Sequence, residues 1–302
     1  MRRRRAGHVH DRRAVELSRL DRPTAPVEIT DPSDPRVADY VGLRDPELRR
    51  RFEAGHGILI AEGAIAIRAL LGSPYPVRSL LVTGRQWDAL AADVAAVGCQ
   101  APVYLADRSV LAAVAGFDLH RGAVAAADRP PLADPAALLS DRGAGPSMVA
   151  VVEAVNDHEN LGALFRNAAA FGVAAVLLDP TCADPLYRRS VRVSLGHALR
   201  VPFARLKPWP DRLDLVRTAG FDLVALTPTA DAEPIDELAA DLGDRVAFLL
   251  GAEGPGLSGA SLAAAGRRVR IPMAHGVDSL NVATAAAVAF HLVRANRGQV
   301  SS

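Results

Sequence analysis

Residues 148–179 read MVAVVEAVNDHENLGALFRNAAAFGVAAVLLD, and this stretch decides the fold. It opens as an apolar strand, MVAVVEAV, and crosses a polar loop from Asn156 to Asn160. It continues as an amphipathic helix, LGALFRNAAAFG, and resumes as a second apolar strand, VAAVLLD. Neither strand alternates apolar with polar residues. Near-continuous apolar strands separated by a helix belong to a parallel sheet buried on both faces. Further on, FDLVALTP, VAFLLG and VRIPM repeat the strand signature, and LNVATAAAVAFHLVRA reads as the final helix. Residues 148–302 therefore predict one α/β domain built on a parallel sheet.

The same alternation recurs upstream on a smaller scale. GILIAEG, VRSLLVT, PVYLA and GAVAAAD read as short strands, with AIAIRALLG and WDALAADVAAVG as helices between them. This predicts a smaller α/β domain over 23–128. Pro23, Pro26, Pro32 and Pro35 argue against regular structure at its start, and residues 46–54 (PELRRRFEA) suit a helix with Pro46 in its first turn. Residues 129–147, RPPLADPAALLSDRGAGPS, read as a linker with one short helix. A chain of 302 residues accommodates two such domains.

Charge divides unevenly along the chain. Residues 1–22 hold eight Arg against Asp11, Glu16 and Asp21, a net of +5, and the rest carries 27 basic and 31 acidic residues, a net of −4. The first 22 residues read as a basic, disordered arm able to meet nucleic acid without sequence preference. The start, MRRRR, leads into polar sequence, so no secretory signal is expected. No apolar run reaches the ~18–20 residues of a bilayer span. Cys99 and Cys182 make no disulfide framework, no CxxC or CxxH spacing suggests zinc, and the histidines form no metal-spaced pair. The default is a soluble, cytoplasmic protein without a metal.

Three loops at strand ends in the larger domain lie where ligands bind in open α/β sheets. The first is Asn156-Asp157-His158-Glu159-Asn160-Leu161-Gly162, leading into the helix that carries Arg166, with Asn160 well placed as its N-cap. The second is Leu250-Gly251-Ala252-Glu253-Gly254-Pro255-Gly256, in which glycines let backbone approach a ligand closely. It is neither a Rossmann fingerprint nor a P-loop. The third runs from Ile271-Pro272-Met273 to Ser279-Leu280-Asn281-Val282, where Ser279 suits the N-cap of the last helix. Taken singly, each loop is also explained by turn and capping chemistry.

In this order and spacing, Asn160-x-Gly162-x3-Arg166, Gly251-x-Glu253-x2-Gly256 and Ile271-Pro272-Met273 with Ser279-Leu280-Asn281-Val282 resemble the three motifs of the SpoU (TrmH-type) family. These are RNA ribose 2′-O-methyltransferases of the SPOUT superfamily. The segment 46–127, with Ile60-Ala61-Glu62-Gly63 and the run His120 to Ala125, is similar to the L30e-like substrate-binding domain that precedes many such catalytic domains. The resemblance implies a deep trefoil knot, which ordinary connection rules would exclude. It also implies S-adenosylmethionine held at Leu250, Gly251, Ile271, Met273 and Leu280, and a homodimer through the knotted domain.

The catalytic set it implies is Arg166, Asn160, Glu253, Ser279 and Asn281, with Glu253 as the natural partner of Arg166. RNA, ribosomal by analogy with the family, is the implied substrate. A tRNA methyltransferase and a non-catalytic RNA-binding protein on the same scaffold remain as alternatives. Two arginine clusters, Arg49-Arg50-Arg51 and Arg188, Arg189 and Arg192, are candidates for phosphate contact. The chain departs from the family at Asn156-Asp157-His158-Glu159, where many members have a proline.

Overall fold

The computed structural model describes residues 25–44, 53, 55–140, 145–238 and 241–300. The basic arm, Arg49, Arg50 and Arg51 lie outside the described residues. Two sheets organise the chain. The first comprises β1 (Val27–Glu28), β2 (Ile58–Glu62), β3 (Val77–Val82), β4 (Val103–Leu105) and β5 (Ala123–Asp128), in the order β1-β4-β3-β5-β2. Pairing is parallel at β1/β4 and β3/β4 and antiparallel at β3/β5 and β2/β5. Helices α1 (Ala64–Leu71), α2 (Gly84–Ala96) and α3 (Arg108–Ala115) connect them.

The proline-rich segment is more regular than its composition suggests. It supplies edge strand β1 and a 3₁₀ turn over Pro35–Tyr40, because Asp34 caps that turn and Tyr40 is wholly buried. The Tyr40 hydroxyl donates to the Ser79 carbonyl at 2.8 Å and accepts from the Ala126 amide at 3.3 Å, which anchors the segment to the sheet. Burial pushes this phenol far above its ordinary titration range, with hydrogen bonds from Ser79 and Ala126 partly opposing.

After the short helix α4 (Pro135–Ser140) the second sheet begins with β6 (Ser147–Glu153). The elements that follow are α5 (His158–Phe171), β7 (Ala175–Leu178), α6 (Arg188–Val193), β8 (Phe203–Arg205), α7 (Asp214–Thr218), β9 (Asp222–Leu226), β10 (Glu233–Pro234), α8 (Ile235–Leu238), β11 (Arg245–Gly251), α9 (Gly259–Ala264), β12 (Arg267–Arg270) and α10 (Val282–Val300). The seven strands run in the order β10-β12-β9-β11-β6-β7-β8, all parallel.

The continuous apolar runs have the expected cause. In β11, Val246, Phe248 and Leu250 face a core shared with Phe165 of α5 and Phe290 of α10, while Ala247 and Leu249 face one shared with Val216 of α7. Each side is covered by helices, so neither can be polar. The first of these cores continues into the smaller sheet through Ala66, Ile67 and Ala69 of α1, which makes the two lobes one packed body. Among the described residues, no helix is long and apolar enough to cross a membrane.

The order of β6, β9, β11 and β12 positions the site. β11 inserts between β6 and β9, so the chain reverses direction of winding there. The carboxyl ends of these strands meet at that point, where open α/β sheets leave a crevice.

Candidate active site

Two helix starts build the site. The N-cap of α5 is Asp157, whose carboxylate accepts the amides of Glu159 at 2.9 Å and Asn160 at 2.8 Å. This corrects the expectation that Asn160 is the cap. The last helix is capped by Asn281, not Ser279: Asn281 Oδ1 accepts the amides of Ala283 at 3.0 Å and Thr284 at 3.2 Å. A carboxamide has an acceptor end and a donor end, and here both are used. Asn281 Nδ2 donates to Asn160 Oδ1 at 2.7 Å and to Glu253 Oε1 at 2.5 Å. Capping by Asp157 leaves the Asn160 side chain available for this contact.

The trio sits beside a cavity of about 390 Å³ at the carboxyl ends of β9, β11 and β12. Its lining includes Leu250, Gly251, Glu253, Ile271, Met273, Ser279, Leu280 and Asn281, which brings together residues of the second and third loops. Gly251 is where the loop folds back on its own strand. A Cβ there would lie 2.4 Å from the Gly256 carbonyl carbon and 2.5 Å from the Leu257 amide, so only glycine admits this closure.

Several contributors were not anticipated from sequence. Leu226, Thr227 and Pro228, at the end of β9, form a further wall. Glu153, buried at the end of β6, accepts the amide of Ser258 at 3.1 Å and the Trp209 Nε1 proton at 3.0 Å, which fixes the far end of the glycine loop. A lone carboxylate closing an apolar strand was the available signal.

Arg166 and Asn160 do not line the cavity. Arg166 is exposed on α5, and its expected pairing with Glu253 does not occur; Glu253 is held by Asn281. Arg166 instead lies near His197. Burial, followed by the charges of Arg200 and Arg166, holds that imidazole below its ordinary range.

The second arginine cluster is largely committed inside the protein. Arg188 is turned inward, paired with the buried Glu62 and donating to the Leu43 carbonyl at 3.0 Å. Arg192 stands 3.8 Å from the same carboxylate, and Arg189 binds Glu159 at 2.6 Å on the surface. A carboxylate from the smaller lobe therefore claims two of the three guanidiniums expected to meet phosphate.

The sequence profile of the SpoU rRNA Methylase family matches residues 147–291, the whole of this site. An uncharacterized tRNA/rRNA methyltransferase of Mycobacterium tuberculosis is 48% identical over 265 residues, covering 87% of this chain and 90% of that protein. The chain belongs to the SpoU family. A 23S rRNA (guanosine-2′-O-)-methyltransferase of Ralstonia nicotianae is 34% identical over 190 residues, 63% of this chain and 75% of that one. Among solved SpoU-type folds, an AdoMet-bound rRNA methyltransferase of Sinorhizobium meliloti superposes with a TM-score of 0.74 at 25% identity, covering 89% of this chain and 97% of that chain. Both lobes of this SpoU protein are thus included in the likeness.

Proposed function

We propose that the protein transfers a methyl group from S-adenosylmethionine to a ribose 2′-hydroxyl of ribosomal RNA. The observation that carries this reading is the trio Asn160–Asn281–Glu253, which gathers three loops at the mouth of one cavity. The cavity is sized for a small-molecule cofactor. Leu226, Leu250, Leu257, Ile271 and Leu280 supply apolar walls suited to a purine, and Gly251 lets the loop backbone close around it. When bound, S-adenosylmethionine supplies an electrophilic methyl group. The Ralstonia relative, by its name, modifies a guanosine 2′-oxygen in 23S rRNA, which supports the same class of acceptor here.

The remaining task of the chain is to place a poor nucleophile in line and ease loss of its proton. Guanidinium stays charged at any working pH, so Arg166 orients the substrate and offsets developing negative charge. Glu253 has one oxygen engaged by Asn281, which holds the carboxylate in place and leaves the other to accept the hydroxyl hydrogen. The path of the chain from β11 to β12 and back to α10 is the route that the implied trefoil knot would take. Val277 and Leu280 are exposed apolar residues on the loop beside the cavity, and they support a homodimer through this region.

Incubation of purified protein with methyl-labelled cofactor and unmodified rRNA or tRNA tests the reading. Ribose-methylation mapping in a strain lacking the gene names the position. One rRNA position losing its mark is the expected result. Label entering tRNA alone redirects the substrate assignment, and RNA binding without transfer overturns the enzymatic one. Light scattering at the mass of one chain would sink the dimer.

A further inference from the structure

A second constellation lies outside the cavity, at the seam between the lobes. Helices α5 and α6 touch at Gly162: a Cβ there would lie 2.8 Å from the Ser190 carbonyl oxygen and 3.0 Å from the Val193 Cβ. Arg166 is four residues further on, the same face one turn along. After α6 the chain passes through Leu195 and Gly196, both at positive φ, into a 3₁₀ turn over His197–Leu199. A Cβ at Gly196 would stand 2.2 Å from the Cβ of Ala69, so this turn is pressed against α1 of the smaller lobe. Arg200 follows, and its Nη2 is 2.9 Å from where a Cβ of Gly72 would be, at the carboxyl end of α1.

The seam thus sets the turn carrying His197 and Arg200 against α1, and α5, the helix that carries Arg166, packs on the same turn. Neither Arg166 nor Arg200 has a hydrogen bond or ion pair among the described residues, and both are exposed. Nearby arginines behave differently. Arg188 holds Glu62, Arg129 holds Asp184 through two bonds of 2.6 and 2.8 Å, and Arg68 holds Asp93 at 2.7 Å. No carboxylate among the described residues is recruited to offset these two positive charges. Burial first, and then the charges of Arg200 and Arg166, hold the His197 imidazole below its ordinary range.

We propose that Arg166, His197 and Arg200 form a phosphate-binding subsite that grips the RNA backbone at the seam between the lobes. An anion with two or more oxygens matches the planar donor forks of the arginines and offsets their charge. The imidazole adds a third donor. The inference rests on the reading of the protein as an RNA methyltransferase, and it gives Arg200 a part in binding substrate that none of the three motif loops contains.

Full-length protein with Arg200→Ala and Arg200→Lys tests it, using an unmodified 23S rRNA transcript as probe in filter binding across a salt series. Loss of one phosphate contact should lower the slope of log affinity against log salt by about 0.7–0.9, with affinity falling roughly tenfold at moderate salt. Arg200→Lys should recover most of the slope. In methyl transfer the RNA KM should rise with kcat little changed, and cofactor affinity should stay fixed. Arg217→Ala, which removes another exposed arginine, on α7 and paired with Asp214, should leave the slope as it is.

Wild-type slope and KM in Arg200→Ala overturn the subsite. If the wild-type protein transfers no methyl group to any RNA while Arg200→Ala still flattens the salt slope, the subsite stands and the enzymatic reading falls. The two failures are therefore distinguishable.

Discussion

The lobe seam and the cavity mouth are both rich in polar side chains, and they spend them differently. At the seam, Glu62 is 5% exposed and draws Arg188 inward, while Arg129 closes on Asp184. At the mouth, Asn281 bonds to both Asn160 and Glu253, with Glu253 and Asn281 exposed and Asn160 half-buried. A buried charge without its partner is costly, whereas a largely exposed polar trio can exchange partners with a ligand at little expense. Seam pairs therefore hold the shape, and mouth residues are held by it.

Breaking the seam should give the largest effect. Glu62→Gln leaves the Arg188 guanidinium in a buried site without its carboxylate and should destabilise the protein by about 3–5 kcal/mol in denaturant unfolding. Adding Arg188→Met should recover part of that loss, and a double-mutant cycle measures how much belongs to the pair. Full stability in Glu62→Gln would mean that the seam is not an energetic joint. Arg166→Ala should do the reverse. Its side chain is exposed and unpaired among the described residues, so unfolding should be unchanged while the methyl-transfer rate falls roughly 10²–10³-fold. A rate loss matched by an equal loss of stability would erase the distinction between buried pairs that hold the shape and exposed, unpaired residues that serve the substrate.

The seam was also the less legible of the two in the sequence. Strand and helix patterns over 148–179 and 246–251 are set locally, by continuous apolar runs and one helical period, and they correspond to β6, α5, β7 and β11. β1, β8 and β10 escape such a reading, because two or three residues carry no period. Strand order is non-local and left no trace. At the site, the residue types at Asn160, Gly251, Glu253 and Asn281 stood out through family resemblance. Their partnerships did not, since Asn156, Asp157 and Asn160 are chemically equivalent candidates for one cap, and Ser279 and Asn281 for another. The choice was made by which oxygen meets which amide. Arg188 could not be told from a surface arginine, because its carboxylate lies 126 positions earlier in the chain.

Asn281→Ala sharpens the comparison from the side of the mouth. It removes a helix cap, worth about 1 kcal/mol, together with the tether on Glu253 and Asn160. A modest drop in stability should accompany a larger, roughly tenfold or greater, drop in rate. Asn281→Asp retains the cap oxygen but places a like charge against Glu253. It should recover stability more than rate. Equal recovery of both would show that Asn281 serves the helix alone.

The smallest effect is expected where the two classes meet. Arg189 and Glu159 form an ion pair at 2.6 Å with both side chains about half exposed, at 54% and 52%. In that setting water and salt screen the attraction, so neither Arg189→Ala nor Glu159→Gln should move unfolding by more than about 0.2–1 kcal/mol. Their effects on RNA should carry opposite signs. Arg189→Ala removes a positive charge from the first turn of α6 and should weaken rRNA binding about twofold at low salt. Glu159→Gln frees that charge and removes a negative one beside Asn160, so binding should tighten by a similar factor. Both effects should fade as the Debye length shortens to about 3 Å near 1 M salt. Opposite signs would place this pair with the mouth, as charge held in reserve for substrate. A shared loss of stability with unaltered RNA binding would instead place it with the seam.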